Sequence, residues 1–179
     1  AKRLGLKLAV RPNVFSDVKW EEKRIPMTSE LMDWLDSYHI HPDKTNWPTI
    51  ITLFPLIQFY DYTKLHSHDR EIWEHNGHGN DGNYNLTFSA SAENHEYNRR
   101  VIEYAVDYGY RIAMVATQDV SSNQLRDMWE RPVIDGDQHD LRFLDEEEVL
   151  VRLKPKGFGK RDTSGFVFTP DSKWTPPRK

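Results

Sequence analysis

The chain has 179 residues, 37% of them hydrophobic and 29% charged, enough for one soluble domain with its own core. A net charge of −4 argues against non-specific nucleic-acid binding as the main role. Without a single cysteine, the chain has no disulfide, no thiolate nucleophile and no cysteine-held zinc or iron–sulfur cluster of its own.

Leu6, Leu8 and Val10 alternate with Lys7, Ala9 and Arg11, a period of two that predicts a strand ended by Pro12 and Asn13. The opening residues lack the apolar core and cleavage site of a signal peptide, and either loss of an initiator Met or processing would account for a start at Ala1. Leu31, Trp34, Leu35 and Tyr38 recur at helical spacing and predict a helix over Ser29 to Tyr38. Thr49 to Phe54 reads as a short helix stopped by Pro55. The apolar stretch that contains it is too short and too interrupted to cross a bilayer. Ile57 to Tyr62 is an aromatic-rich strand, and Leu65 to Asn83, with Gly77, Gly79 and Gly82, is a mobile loop with one helical turn near Glu71.

The clearest unit follows. Tyr84 to Ser89 is a strand, and Ser91 is placed as an N-cap with Glu93 and Glu96 in the first turns, where the helix dipole favours acids. Tyr97, Val101, Tyr104, Ala105 and Tyr108 form an apolar stripe, Gly109 is the C-cap, and Arg111 to Ala116 is the next strand. Strand, helix and strand at this length make a βαβ unit with parallel strands and a right-handed crossover. Ser122 to Trp129 predicts another helix, Val133 and Ile134 are a short apolar pair, and Asp135 to Asp140 is turn-like. Val149 to Leu153 and Gly165 to Phe168 are short strands joined by a basic loop. The whole is an α/β domain over residues 1–168 with a mainly parallel sheet, a partial (β/α) barrel being one form of it. Residues 169–179 hold three prolines and form a tail.

Polar residues close or follow each of the first four predicted strands: Asn13, Ser16 and Asp17; Asp61 and Lys64; Ser89, Ser91, Glu93 and Asn94; Thr117, Gln118 and Asp119. In open parallel sheets ligands bind at the strand C-termini, so Asn13, Asp17, Asp61, Lys64, Ser89 and Glu93 are candidate ligand-binding residues. Asp135, Asp137, His139 and Asp140 crowd four ionisable groups into six residues and are candidate catalytic residues, able to bind a divalent metal or supply a general base. An Asp-rich turn bonding its own backbone is the alternative. His66 and His68, with His75 and His78 close by, are candidate ligands for zinc, nickel or iron, set against a polar loop that happens to be His-rich. His39 and His41 read as surface loop residues. The basic run Arg152, Lys154, Lys156, Lys160 and Arg161 lacks a phosphate-loop pattern and reads as a solvated hairpin.

Several segments are familiar as a set: residues 10–21 (VRPNVFSDVKWE), 59–64 (FYDYTK), 83–89 (NYNLTFS), 133–145 (VIDGDQHDLRFLD) and 162–166 (DTSGF). Together they resemble the C-terminal part of an uncharacterised family encoded in bacteriophage genomes, over roughly residues 1–168, with residues 133–145 the most specific part. Full-length members look longer at the N-terminus, where they carry a cysteine-containing segment and helices. Related phage proteins are reminiscent of radical S-adenosylmethionine enzymes, whose partial barrel places the cofactor at the strand C-termini. The resemblance implies residence in the cytoplasm of the infected host, or else in the virion. The resemblance extends neither to the cysteine segment, which is missing here, nor to the His-rich insertion, which is particular to this sequence.

Three kinds of function follow. The chain is an enzyme half completed by a cysteine-containing N-terminal polypeptide, which requires an exposed apolar edge near Leu6 to Val10. It is instead an interaction protein binding a host or virion protein through exposed aromatics. The third is a metal-dependent hydrolase or nuclease using Asp135, Asp137, His139 and Asp140. No Gly-x-Ser-x-Gly elbow supports covalent acyl chemistry.

Overall fold

The computed structural model describes residues 6–13, 16–42, 47–65, 82–92 and 96–172. Among them, six strands form one sheet: β1 (Ala9–Val10), β2 (Gln58–Thr63), β3 (Tyr84–Ala90), β4 (Ile112–Val115), β5 (Val133–Asp135) and β6 (Leu150–Leu153). The spatial order is β1-β2-β3-β4-β6-β5, and every neighbouring pair is parallel. The protein is therefore the α/β, parallel-sheet domain that its alternation of strand and helix periods predicts.

Four α-helices accompany the strands: α1 (Ser29–Ser37), α2 (Ile50–Leu53), α3 (Glu96–Asp107) and α4 (Ser122–Trp129). Each of three starts on a hydroxyl that satisfies an otherwise orphaned N–H. Thr28 caps α1, while Thr49 and Ser121 form capping boxes with Thr52 and Gln124 at α2 and α4. At the far end of α3, Gly109 takes a φ of +72°, a left-handed conformation that costs glycine little.

Strand alternation divides the core. Phe59, Leu86, Phe88, Ile112, Met114 and Leu150 face α2, α3 and α4, and they pack with Ile51, Val101, Ile102, Ala105 and Leu125. Phe88, Tyr104 and Tyr110 stack within this layer at ring separations of 5.1 to 5.9 Å. The opposite face carries Ala113, Val149 and Val151 with Tyr62, Ile134 and Leu153 around them. Among the described residues no α-helix joins that smaller cluster. The segment between β5 and β6 lies on the same side, where Phe143 packs 5.4 Å from Tyr60, and it includes a 3₁₀ helix, Arg142–Leu144.

Several expectations change. The alternating run from Leu6 yields a strand of two residues only, because β1 ends the sheet order and pairs just at Ala9 and Val10. Val133 and Ile134 are part of a true strand, β5, whose three residues are too few to show a period. Residues 165–168 make no strand: Phe168 forms an isolated parallel bridge with Ala116. That parallel sense also removes the basic hairpin, since β6 is followed instead by a 3₁₀ helix, Gly157–Arg161. Ser91 precedes α3, described from Glu96, by five residues; it is buried, and its carbonyl accepts the Asn98 side-chain amide at 2.9 Å. Tyr97 and Tyr108, at the ends of the α3 stripe, are exposed. Among the described residues no helix is long and apolar enough to cross a membrane.

Candidate functional site at the C-terminal edge of the sheet

Because the strands are parallel, their polar C-terminal residues gather on one edge. A hollow of about 360 Å³ opens there, beyond β1, β2 and β3, lined by Arg11, Asn13, Ser16, Asp17, Tyr62, Thr63, Lys64 and Ser89. Four of the six candidate ligand-binding residues, Asn13, Asp17, Lys64 and Ser89, thus share one space. Asp61 sits directly behind it. Glu93, like His66 and His68, lies outside the described residues.

The wall of the hollow is built around Asn13 and Asp61. Asp61 faces the helical side of β2 with its side chain fully buried. Burying a carboxylate is costly unless donors surround it. The Asn13 N–H and side-chain amide supply them at 3.0 and 3.1 Å, the Tyr84 hydroxyl at 3.2 Å, and the Arg11 guanidinium lies 3.9 Å away. Asn13 in turn accepts from the Ser16 hydroxyl, the Val18 N–H and the Trp20 indole, which shapes the turn leaving β1. Asp17 ties that turn to the end of β2, accepting from the Thr63 hydroxyl at 3.0 Å and the Lys64 N–H at 2.8 Å. Asn13, Asp17 and Asp61 therefore hold the site in shape.

The cations remain. Lys64 is exposed, places its ammonium 4.3 Å from the Phe166 ring centroid, and has no carboxylate partner among the described residues. Arg11 stacks 4.6 Å above Tyr62 and donates one bond to the Asn13 carbonyl and one, at 2.9 Å, to Asp140. Tyr62 also donates to Asp140, at 3.2 Å. Its hydroxyl is held above its ordinary pKa by burial and then by the Asp140 charge, so it stays a donor across the physiological range. Arg11 and Tyr62 were not among the expected site residues. Arg11 reads as the polar half of an alternating strand and Tyr62 as aromatic strand filling, and only the stacking across two adjacent strands gives them a place in the site.

The four candidate catalytic residues do not converge. Asp135 accepts the Asp137 N–H at 3.0 Å, an Asp turn. Asp137 accepts the Lys154 N–H at 3.0 Å and pairs with the Lys156 ammonium at 2.8 Å. The Lys156 hydrogen bond is the main reason that its carboxyl sits below the usual range. His139 lies 3.6 Å from Asp145, and Asp140 reaches across to Arg11. Among the described residues no three His, Asp or Glu side chains gather as a cation site.

Arg142, which no pattern in the sequence singled out, is the anchor of this segment. Its side chain is 1% exposed, lies 3.1 Å from the Asp145 carboxylate and donates to the His139 carbonyl and ring. The only sign of it in the sequence is a cation set between Leu141 and Phe143. On the same face of the sheet, the Thr87 hydroxyl is buried without a hydrogen-bond partner.

A second hollow, of about 730 Å³, lies at the opposite end of β2. Apolar side chains dominate its lining, among them Ile40, Trp47, Leu53, Phe54 and Leu56, with Arg24, His39 and His41 also present.

No curated protein and no solved structure matches the chain. A family model does, over residues 1–170, nearly the span over which the sequence resembles phage proteins. The chain belongs to the family described as Gene product 88, a phage gene-product family.

Proposed function

We propose that this chain is the ligand-binding part of a phage enzyme, working on a small molecule at the C-terminal edge of its parallel sheet and completed by an N-terminal polypeptide that carries cysteines. The observation that supports it is the shared hollow: polar residues at the C-terminal ends of three successive strands line one concave space of a size suited to a small ligand. The sheet edge fits the second half of the reading. Among the described residues β1 pairs on one side only, and Leu6 and Leu8 beside it are 62% and 48% exposed, an apolar edge that another polypeptide would cover. A radical S-adenosylmethionine-like ancestry would ask for an iron–sulfur cluster. This chain has no thiolate to hold one, so its own residues do not fit that group and the cluster would belong to the partner.

Fragment mapping tests the site. A mixed set of neutral, cationic and anionic fragments, with S-adenosylmethionine among the probes, is titrated into ¹⁵N-labelled protein. Amide shifts should concentrate at Ser16, Thr63, Lys64 and Ser89. A set that leaves these amides unmoved would remove the reading.

A second reading, an interaction protein binding a host or virion protein, draws on the apolar hollow at the other end of β2. Leu56 and Trp47 are 95% and 54% exposed there, the kind of side chains that anchor protein interfaces. Fragment shifts confined to Trp47, Leu53 and Leu56 would favour it over the enzyme reading.

A further inference from the structure

We infer that the strand-edge hollow recognises an oxyanion, a phosphate or carboxylate group of its ligand, held between Arg11 and Lys64, and that Asp140 occupies the Arg11 end as an internal competitor. This rests on the reading of the hollow as a ligand site and adds the chemical class of what it binds.

Hydrogen-bond bookkeeping leads there rather than net charge, since Asp17, Asp61 and Asp140 outnumber Arg11 and Lys64 and Arg11 also lies 3.9 Å from Asp61. Three carboxylates stand near the hollow, and each already has donors. Asp17 accepts from Thr63 and the Lys64 N–H, Asp61 from Asn13 and Tyr84, and Asp140 from Arg11 and Tyr62. The donors are in surplus. A guanidinium carries five N–H groups, and Arg11 uses two of them in hydrogen bonds, one to Asn13 and one to Asp140. Among the described residues the Lys64 ammonium meets the Phe166 ring face and no carboxylate, and a ring face orients a cation without neutralising it. The hydroxyl of Ser89, on β3, makes no hydrogen bond among the described residues and lines the same space. What the hollow offers a ligand is therefore a planar cation already stacked on Tyr62, a second cation and a neutral hydroxyl, a set that suits an oxyanion.

Asp140 shows how such a group would sit. Its two oxygens take one bond from Arg11 and one from the Tyr62 hydroxyl, the contacts that a ligand carboxylate or phosphate would make. It is also easily displaced. Its side chain is 54% exposed, and solvent-exposed ion pairs hold weakly. A ligand oxyanion can take over Arg11 and Tyr62 while Asp140 turns to water.

The experiment titrates pyrophosphate and citrate separately into the full chain at low ionic strength, followed by calorimetry and amide shifts, with chloride as control. The chain is compared with Arg11→Gln, Lys64→Gln and Asp140→Asn. Both Gln variants should bind at least about 10-fold more weakly, as for loss of a charged hydrogen bond. Asp140→Asn should bind about 3–5-fold more tightly, the factor that an exposed ion pair withholds. Lys64 is exposed, and among the described residues its ammonium meets Phe166 alone, so its variant remains informative if Arg11→Gln unfolds. Preference for pyrophosphate over citrate assigns a phosphate, and the reverse a carboxylate. Anion binding indifferent to Lys64→Gln, or unchanged or weakened by Asp140→Asn, would overturn the inference. So would neutral fragments that populate the hollow while both anions stay out, and that result leaves the ligand-site reading standing.

Discussion

Gly136 shows how a single position can be misread as chemistry. Between Asp135 and Asp137 it looks like the pivot of an acidic turn. Its φ is not in the left-handed region, so conformational freedom is not why glycine is there. Space is the reason: a Cβ at this position would lie 2.4 Å from a Val151 methyl and 2.8 Å from a Leu153 methyl. The turn leaving β5 is pressed against the inward face of β6, and its backbone must touch the sheet. Val151 is β-branched and buried, so it cannot swing away. Gly136→Ala should destabilise the fold by about 1–3 kcal/mol, the usual cost of overpacking, read as a lowered urea midpoint with an unchanged slope. A midpoint equal to that of the parent chain would mean that the segment covering β6 is loosely seated.

The elements that could be read from the sequence are those whose period runs long enough to register. β3, α3 and β4 stand out because hydrophobic spacing switches from two to 3.6 and back, with Gly109 marking the turn. β5 escapes notice at three residues, and Gly165 to Phe168 misleads because an apolar pair near a glycine can be a single bridge. The same holds for the site. Asn13, Asp17, Lys64 and Ser89 are legible as residues at or just beyond strand ends, whereas Arg142 matters through a burial that no period announces, and Arg11 and Tyr62 matter through partners far away in the chain. Arg131 is another such residue. It follows α4, yet its guanidinium donates to the carbonyls of Val106 and Tyr110, both 2.9 Å away, at the end of α3 and the loop after it. The Val106 carbonyl, in the last turn of α3, has otherwise a long bond from the Gly109 N–H at 3.3 Å, so Arg131 reinforces a helix end that is short of donors. With Arg131 only 6% exposed, water has little access to replace it. Arg131→Met should therefore cost about 1.5–3 kcal/mol in denaturant unfolding, the range for a hydrogen bond to a charged group. Hydrogen exchange should quicken first at Tyr108, Gly109 and Tyr110. Loss spread evenly over all helices would argue against a local clasp between α3 and α4.

At the scale of the whole molecule, the sheet is clothed unequally. α2, α3 and α4 cover one face, and on the other the segment between β5 and β6 is held by charges rather than by a helix. Two acids tie it to the rest of the chain, Asp137 to Lys156 and the Lys154 N–H and, more weakly, Asp140 to Arg11 and Tyr62. Asp145 pairs with the buried Arg142 inside the segment, and Arg111 donates to the Asp145 and Glu146 carbonyls. Such a cover should respond to acid before the helical face does, and Asp137 gives the sign. Chiefly through the Lys156 hydrogen bond, and then through the Lys154 N–H, its carboxyl is held below the usual 3.8 in the folded chain. A depressed folded pKa means that the unfolded chain takes up the proton first as pH falls. The stabilisation is thus complete above the ordinary carboxylate pKa and disappears as pH drops through the lowered folded value. Asp137→Asn should lower the urea midpoint at neutral pH, and the gap from the parent chain should begin to narrow below about pH 5 and close as pH falls through the lowered folded value, because a protonated Asp137 offers Lys156 no charge. Lys156→Met should show a smaller gap over the same window, since the Lys154 N–H still reaches Asp137. A gap that persists unchanged at the acid end would show that Asp137 acts by shape alone, and the clamp over the open face would then lie with Arg111, which donates to the Asp145 and Glu146 carbonyls.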